Sequence, residues 1–213
     1  MSVSDNLFPL PMFPLQSVLF PGVAIPLHIF EPRYKKLIED LSKGPPNFGV
    51  VMITRGSEVG GGEQRTFVGT IARLSEKVLL DDDQWVILAV GEDKVKVHSW
   101  LPDDPYPVAL VEIVERAEVL DAKTATFVER LKKKLRYAML LRDEVSVDVS
   151  SSVSVLFSND LYQAIWQMCA VAPIATLDQQ KLLEVDDPSE RVEMLDGFLD
   201  DAISLFEGQL STK

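Results

Sequence analysis

Apolar residues recur along this chain in two rhythms, and the change between them divides it. From Phe48 to Val114 the apolar positions come in short runs rich in β-branched residues: FGVVMI, RTFVGTIARL, KVLL, QWVILAV, DKVKVHSW and YPVALVEIV. Turn signals separate them, notably Gly60-Gly61-Gly62 and Asp81-Asp82-Asp83. Such spacing predicts a compact antiparallel sheet or a small barrel. Near Asp121 the spacing becomes helical. Phe127, Val128, Leu131, Leu135, Ala138 and Met139 share one face, and Leu161, Ile165, Trp166 and Cys169 share another after a break at Ser150-Ser151-Ser152. Val171-Ala172-Pro173 ends that second helix, and a short helix around Gln179 to Glu184 follows. The last begins at Asp187-Pro188-Ser189-Glu190, with an N-cap, a proline at N1 and an acid at N3, and runs on through Val192, Leu195, Leu199 and Phe206. The pattern predicts an α+β chain with a β-rich part over 1–118 and a helical part over 119–213.

The opening, Leu7 to Tyr34, fits neither rhythm. Pro9, Pro11, Pro14, Pro21, Pro26 and Pro32 are interleaved with Phe8, Phe13, Phe20 and Phe30. Proline fixes φ and removes a donor, so this stretch is expected to form short extended pieces joined by turns, and its apolar residues require burial. At its end Pro32 suits the first position of a helix. Tyr34, Leu37, Ile38 and Leu41 then share one face until Lys43-Gly44-Pro45-Pro46 stops the helix.

Composition narrows the classes. A hydrophobic fraction of 46% over 213 residues is ample for a core. Neither a secretory leader nor an apolar run long enough to cross a bilayer is apparent, so a soluble cytoplasmic protein is expected. Cys169 is the one cysteine, which excludes an intramolecular disulfide and a Cys-cluster metal site. The net charge of −12 opposes nucleic acid and anionic membranes. The exception is the cluster Arg130, Lys132, Lys133, Lys134 and Arg136, which reads as a solvated helix face.

Candidate chemistry is sparse. His28 and His98 are the only imidazoles, and neither a GxSxG elbow nor an HExxH helix occurs. His28 with Glu31 could form a general-base dyad or two metal ligands, but a structural His28, hydrogen-bonded beneath the first loop, is favoured. Glu31 and Arg33 read first as helix-start electrostatics. Cys169 reads as an inert core thiol, Asp81 to Asp83 as a solvated turn, and Trp85 and Trp100 first as core, with one of them lining a peptide groove as the alternative. No metal site and no cofactor are expected.

Pro11-Met12-Phe13-Pro14-Leu15, Val18-Leu19-Phe20-Pro21-Gly22 and Pro26-Leu27-His28-Ile29-Phe30-Glu31-Pro32-Arg33-Tyr34 closely resemble the opening signature of the Lon substrate-binding domain, the N-terminal domain of Lon proteases of the S16 peptidase class. Val68-Gly69-Thr70-Ile71-Ala72, a Gly91 turn between two strands, Pro105-Tyr106-Pro107-Val108-Ala109, and Lys181-Leu182-Leu183-Glu184 with Arg191 extend the resemblance in order. The resemblance implies a PUA-like antiparallel β-barrel followed by a C-terminal helical bundle. No GxxxxGK[ST] phosphate loop is present and the sequence ends at Lys213, so a stand-alone recognition domain without ATPase or protease activity is expected.

The leading expectation is therefore a non-catalytic module that binds unfolded or peptide segments of proteins, with an ATP-dependent protease in trans as a further candidate partner. Exposed sheet edges can add a peptide strand. Candidate binding residues are Phe20, His28, Phe30, Glu31, Arg33 and Tyr34. The competing readings are an enzyme with a cleft near His28 and Glu31, and an RNA binder of PUA-like type.

Overall fold

The computed structural model describes residues 6–59, 61–80, 82–115, 120, 122–146 and 156–212. It separates into two compact units, Met1–Glu115 and Arg116–Lys213. The expected Ser150-Ser151-Ser152 break and the boundary at 118/119 lie outside the described residues, as do Gly60 and Asp81.

The first unit holds β1 (Phe8–Leu15), β2 (Ala24–Ile29), α1 (Pro32–Leu41), β3 (Asn47–Arg55), β4 (Gln64–Leu79), β5 (Trp85–Trp100) and β6 (Val108–Ile113). Strand order is β2-β5-β4-β3-β1-β6, and β5 also pairs β6, so five strands close a ring with β2 outside it on β5. Pairing is antiparallel throughout except between β1 and β3, which run parallel.

The proline-rich β1 survives inside this ring because it is staggered. Phe8 to Pro11 pair β6 and Met12 to Leu15 pair β3. The Met12 N–H donates to the Pro107 carbonyl at 2.8 Å. Antiparallel bonding alternates, so Leu10 and Phe8 share Met12's bonding side while Pro9 and Pro11 fall where no donor is required. Burial on both faces explains the apolar crowding. Phe13 and Leu15 join one core with Tyr34, Leu37, Ile38 and Phe48, whereas Leu10 and Met12 join another with Val51, Ile71, Val95 and Val111.

Two expectations change here. RTFVGTIARL and KVLL form one strand, β4, and QWVILAV and DKVKVHSW form another, β5. Gly91 is therefore not a turn but lies within β5. A Cβ there would stand 2.3 Å from the Phe20 carbonyl oxygen. The residue must be glycine because the 19–23 corner crosses it, bonded by Gly22 N–H to Gly91 O at 2.7 Å and by Gly91 N–H to Val23 O at 2.8 Å.

Helix α1 starts at Pro32 as its pattern predicts and buries Tyr34, Leu37, Ile38 and Leu41. The second unit contains α2 (Ala122–Val145), α3 (Leu161–Val171), α4 (Thr176–Glu184) and α5 (Pro188–Leu210). Val128, Leu131, Leu135 and Ala138 of α2 are buried, as are Val192, Leu195 and Leu199 of α5. The Asp187 side chain caps α5 by accepting from Ser189 N–H at 2.7 Å. Arg191 lies buried with its guanidinium 3.8 Å from the Trp166 ring centre, donating to the carbonyls of Leu182 and Val185. It closes the end of α4, a structural use of the Leu182 to Arg191 motif.

Candidate functional site

A cleft of about 230 Å³ opens in the first unit beside β2 and the start of α1. Phe13, Leu15, Leu27 and Ile29 supply apolar wall, with Pro26, His28, Phe30, Glu31 and Tyr34 along one side and Glu58 and Val59 from the β3–β4 loop along the other. The volume falls below the roughly 300 Å³ at which small-molecule pockets begin. It suits one bulky side chain of a larger ligand.

Helix α1 fixes one wall. Tyr34 is buried by stacking on Phe13, ring centres 4.1 Å apart. Burial pushes its phenol far above the usual value, the Arg33 guanidinium opposes this, and the Glu63 and Glu31 carboxylates add to it. It therefore stays a neutral hydroxyl, with no hydrogen-bond partner among the described residues. Arg33 joins the two sides. Its Nε meets Glu31 at 3.1 Å, its Nη2 donates to the Glu58 carbonyl at 3.1 Å, and its guanidinium lies 4.5 Å from the Tyr34 ring centre. The Glu58 carboxylate in turn accepts from the Gln16 backbone N–H. The loop can fold back this way because Gly56, Gly61 and Gly62 take positive φ.

A second, more open depression of about 410 Å³ is lined by Thr54, Glu63, Gln64, Arg65, Phe67 and Trp100. Arg65 lies 4.5 Å from the Trp100 ring centre and is held by Glu63 at 2.7 Å and Asp103 at 2.6 Å. Its charge is thus already matched within the fold.

A profile of the ATP-dependent protease La (LON) substrate-binding domain matches residues 9–201. The chain belongs to the Lon substrate-binding domain family. It is 25% identical over 202 residues to a Lon protease of Cytophaga hutchinsonii, covering 93% of this chain and 25% of that protein. Against a Lon protease of Anaeromyxobacter dehalogenans the identity is 28% over 190 residues, covering 87% and 22%. The chain thus spans about a quarter of the length of these relatives. Among solved structures, a Lon N-terminal domain protein from Xanthomonas campestris is 26% identical with a TM-score of 0.66, covering 90% of this chain and 98% of that one. The N-terminal domain of a Mycobacterium avium complex Lon protease has the same fold, at 17% identity and a TM-score of 0.62 over 91% and 99%.

In this Lon substrate-binding domain His28, Phe30, Glu31 and Tyr34 all line the cleft, and Arg33 clamps its rim. Phe20 does not belong with them. It is fully buried as part of the 19–23 corner that crosses Gly91, and so leaves the candidate surface. His28 also departs from expectation: it is exposed, without a hydrogen bond among the described residues, its ring 5.8 Å from that of Phe30. Phe30 is 48% exposed, a large ring half in solvent at the cleft mouth. Glu58 and Val59 were not foreseeable from local pattern, since only the glycine-rich loop hints at a fold-back.

Other groups fall to structural roles. Burial pushes the Cys169 thiol up to about 12, which removes it as a nucleophile near neutral pH. In the basic cluster Lys134 lies 2.7 Å from both Asp196 and Asp200, and Lys132 lies 2.6 Å from Glu129. Among the described residues no three His, Cys, Asp or Glu side chains are grouped to hold a metal, and no helix is long and apolar enough to cross a membrane.

Proposed function

We propose that this domain binds exposed apolar segments of unfolded or flexible polypeptides through the cleft between β2, the start of α1 and the β3–β4 loop, without catalysing a reaction on them. The observation that carries this reading is the half-exposed Phe30 at the mouth of an apolar cleft. An aromatic so placed beside a buried wall is the usual anchor of a protein interface. Its Lon protease relatives support a role in substrate capture, and an ATP-dependent protease is the partner to which a captured segment would pass. Glu31 is engaged by Arg33, which favours a rim clamp over a His28–Glu31 dyad. The acids holding Lys132 and Lys134 weigh against RNA.

The test is fluorescence anisotropy with a labelled, reduced and carboxymethylated unfolded protein. Saturable binding that weakens at least fivefold in Phe30→Ala supports the proposal. Equal binding by the variant moves the site elsewhere, and turnover of ester, amide or phosphate substrates that is lost in His28→Ala restores the enzyme reading.

A further inference from the structure

Among the described residues strand β2 is paired on one side only, and the sides of its backbone groups can be assigned. Gly22 and Val23 both bond Gly91, and the register continues with Ile25 opposite Ala89, Leu27 opposite Ile87 and Ile29 opposite Trp85. Antiparallel bonds alternate, so Ile25, Leu27 and Ile29 turn their N–H and C=O groups toward β5. Ala24, Pro26 and His28 turn theirs away, toward the free edge. Proline at the middle of that outward set agrees with the assignment, because a strand tolerates a missing donor only where no partner strand requires it. The edge thus presents the carbonyls of Ala24, Pro26 and His28 and the N–H groups of Ala24 and His28, and all three residues are exposed. Among the described residues these backbone groups have no hydrogen-bond partner. The cleft begins on the same edge, since Pro26 through Glu31 all line it.

Resting on the binding role proposed above, we propose that this edge receives the partner polypeptide as an added β-strand, whose bulky apolar residue enters the cleft and which carries a Lys or Arg beside that residue. Pairing to alternate residues would use all five outward groups, at the roughly 6.5–7 Å repeat of two strand residues. The basic neighbour follows from charge: the Glu31 and Glu58 carboxylates stand at the cleft, no Lys or Arg is among its described lining residues, Arg33 pairs Glu31 from the rim, and the chain carries a net charge of −12. A segment with acidic flanks would meet that rim at a disadvantage.

The full chain is titrated with a fluorescein-labelled ten-residue peptide of alternating Thr and Val, with one central Phe and an adjacent Lys. Two further versions carry N-methyl groups on alternate backbone amides, one on each edge of the strand. Strand addition predicts that one N-methylated version binds at least tenfold more weakly while the other stays within about threefold of the parent. It also predicts slowed exchange of the Ala24 and His28 amides in the complex, and at least fivefold weaker binding when Lys is replaced by Glu, a difference that shrinks in 0.5 M salt. Equal binding by all three backbone versions overturns strand addition and leaves the binding role intact. Absence of binding by the parent peptide, with the unfolded protein also unbound, overturns both. Protection of Ala24 and His28 in a dimer of the chain without peptide identifies the edge as a self-association surface and overturns the proposal.

Discussion

Replacing Gly91 with alanine tests how β2 is held in place. The added Cβ would meet the Phe20 oxygen at 2.3 Å, the Phe20 carbonyl carbon at 3.0 Å and Leu19 Cγ at 3.3 Å. The first is about 1 Å inside ordinary contact, and backbone cannot rotate away as a side-chain tip can. The 19–23 corner must back off, stretching the two bonds at 2.7 and 2.8 Å and lifting the fully buried Phe20 and Leu19. Overpacking of this kind costs about 1–3 kcal/mol, and two weakened hydrogen bonds add about 1 kcal/mol. A loss of about 3 kcal/mol is expected, or about 12 °C in Tm for a unit of this size. Urea and thermal unfolding followed by circular dichroism and tryptophan fluorescence measure it. Gly197→Ala is the control: it lies in α5 with nothing within 4 Å of the new Cβ, and should stabilise by about 0.5–1 kcal/mol. A Gly91→Ala loss below about 0.5 kcal/mol, with the Gly22 amide resonance unmoved, would refute the close crossing.

Phe30→Ala should leave Tm within about 2 °C of the parent while weakening peptide binding, because a ring 48% exposed contributes little to the core; a large Tm drop would place Phe30 in the core instead. Arg33→Ala removes the Glu31 ion pair, the bond to the Glu58 carbonyl and the contact with Tyr34, and should cost about 1–2 kcal/mol. Hydrogen exchange should quicken across 56–59; unchanged exchange there would mean Arg33 does not hold the loop. For Cys169 the folded value of about 12 lies above the ordinary 9.0 because burial disfavours the thiolate. The neutral thiol's contribution is therefore complete below pH 9 and falls as pH rises toward 12. Urea unfolding should show the stability advantage over Cys169→Ala shrinking by about 1 kcal/mol per pH unit above 9, and a constant advantage from pH 8 to 10.5 contradicts this.

Much of this fold is legible in the sequence where the cause is local. Pro32 with the Tyr34, Leu37, Ile38 and Leu41 face marks α1, and Asp187-Pro188 marks the start of α5. What escapes local pattern is set by distant partners. Gly91 reads as a turn until the Phe20 carbonyl is placed against it, and the two flanking runs then join as one strand. The parallel pairing of β1 with β3 leaves no local signature, since the prolines reveal only that β1 lacks donors on one side at a time. The cleft divides the same way. His28, Phe30, Glu31 and Tyr34 are near neighbours in sequence and could be grouped in advance, whereas Glu58 arrives through a bond to Gln16, 42 residues away. Phe20 and Phe30 look alike in the aromatic opening, and only the corner over Gly91 decides that one is core and the other surface.

The most direct test of the cleft as the binding site is an amide chemical-shift titration of the full chain with the Phe- and Lys-bearing peptide. Saturable shifts concentrated at 24–34 and 58–59 are predicted, with Phe67 and Trp100 unmoved. Shifts centred on Phe67 and Trp100, or confined to the helices of the second unit, would contradict the account.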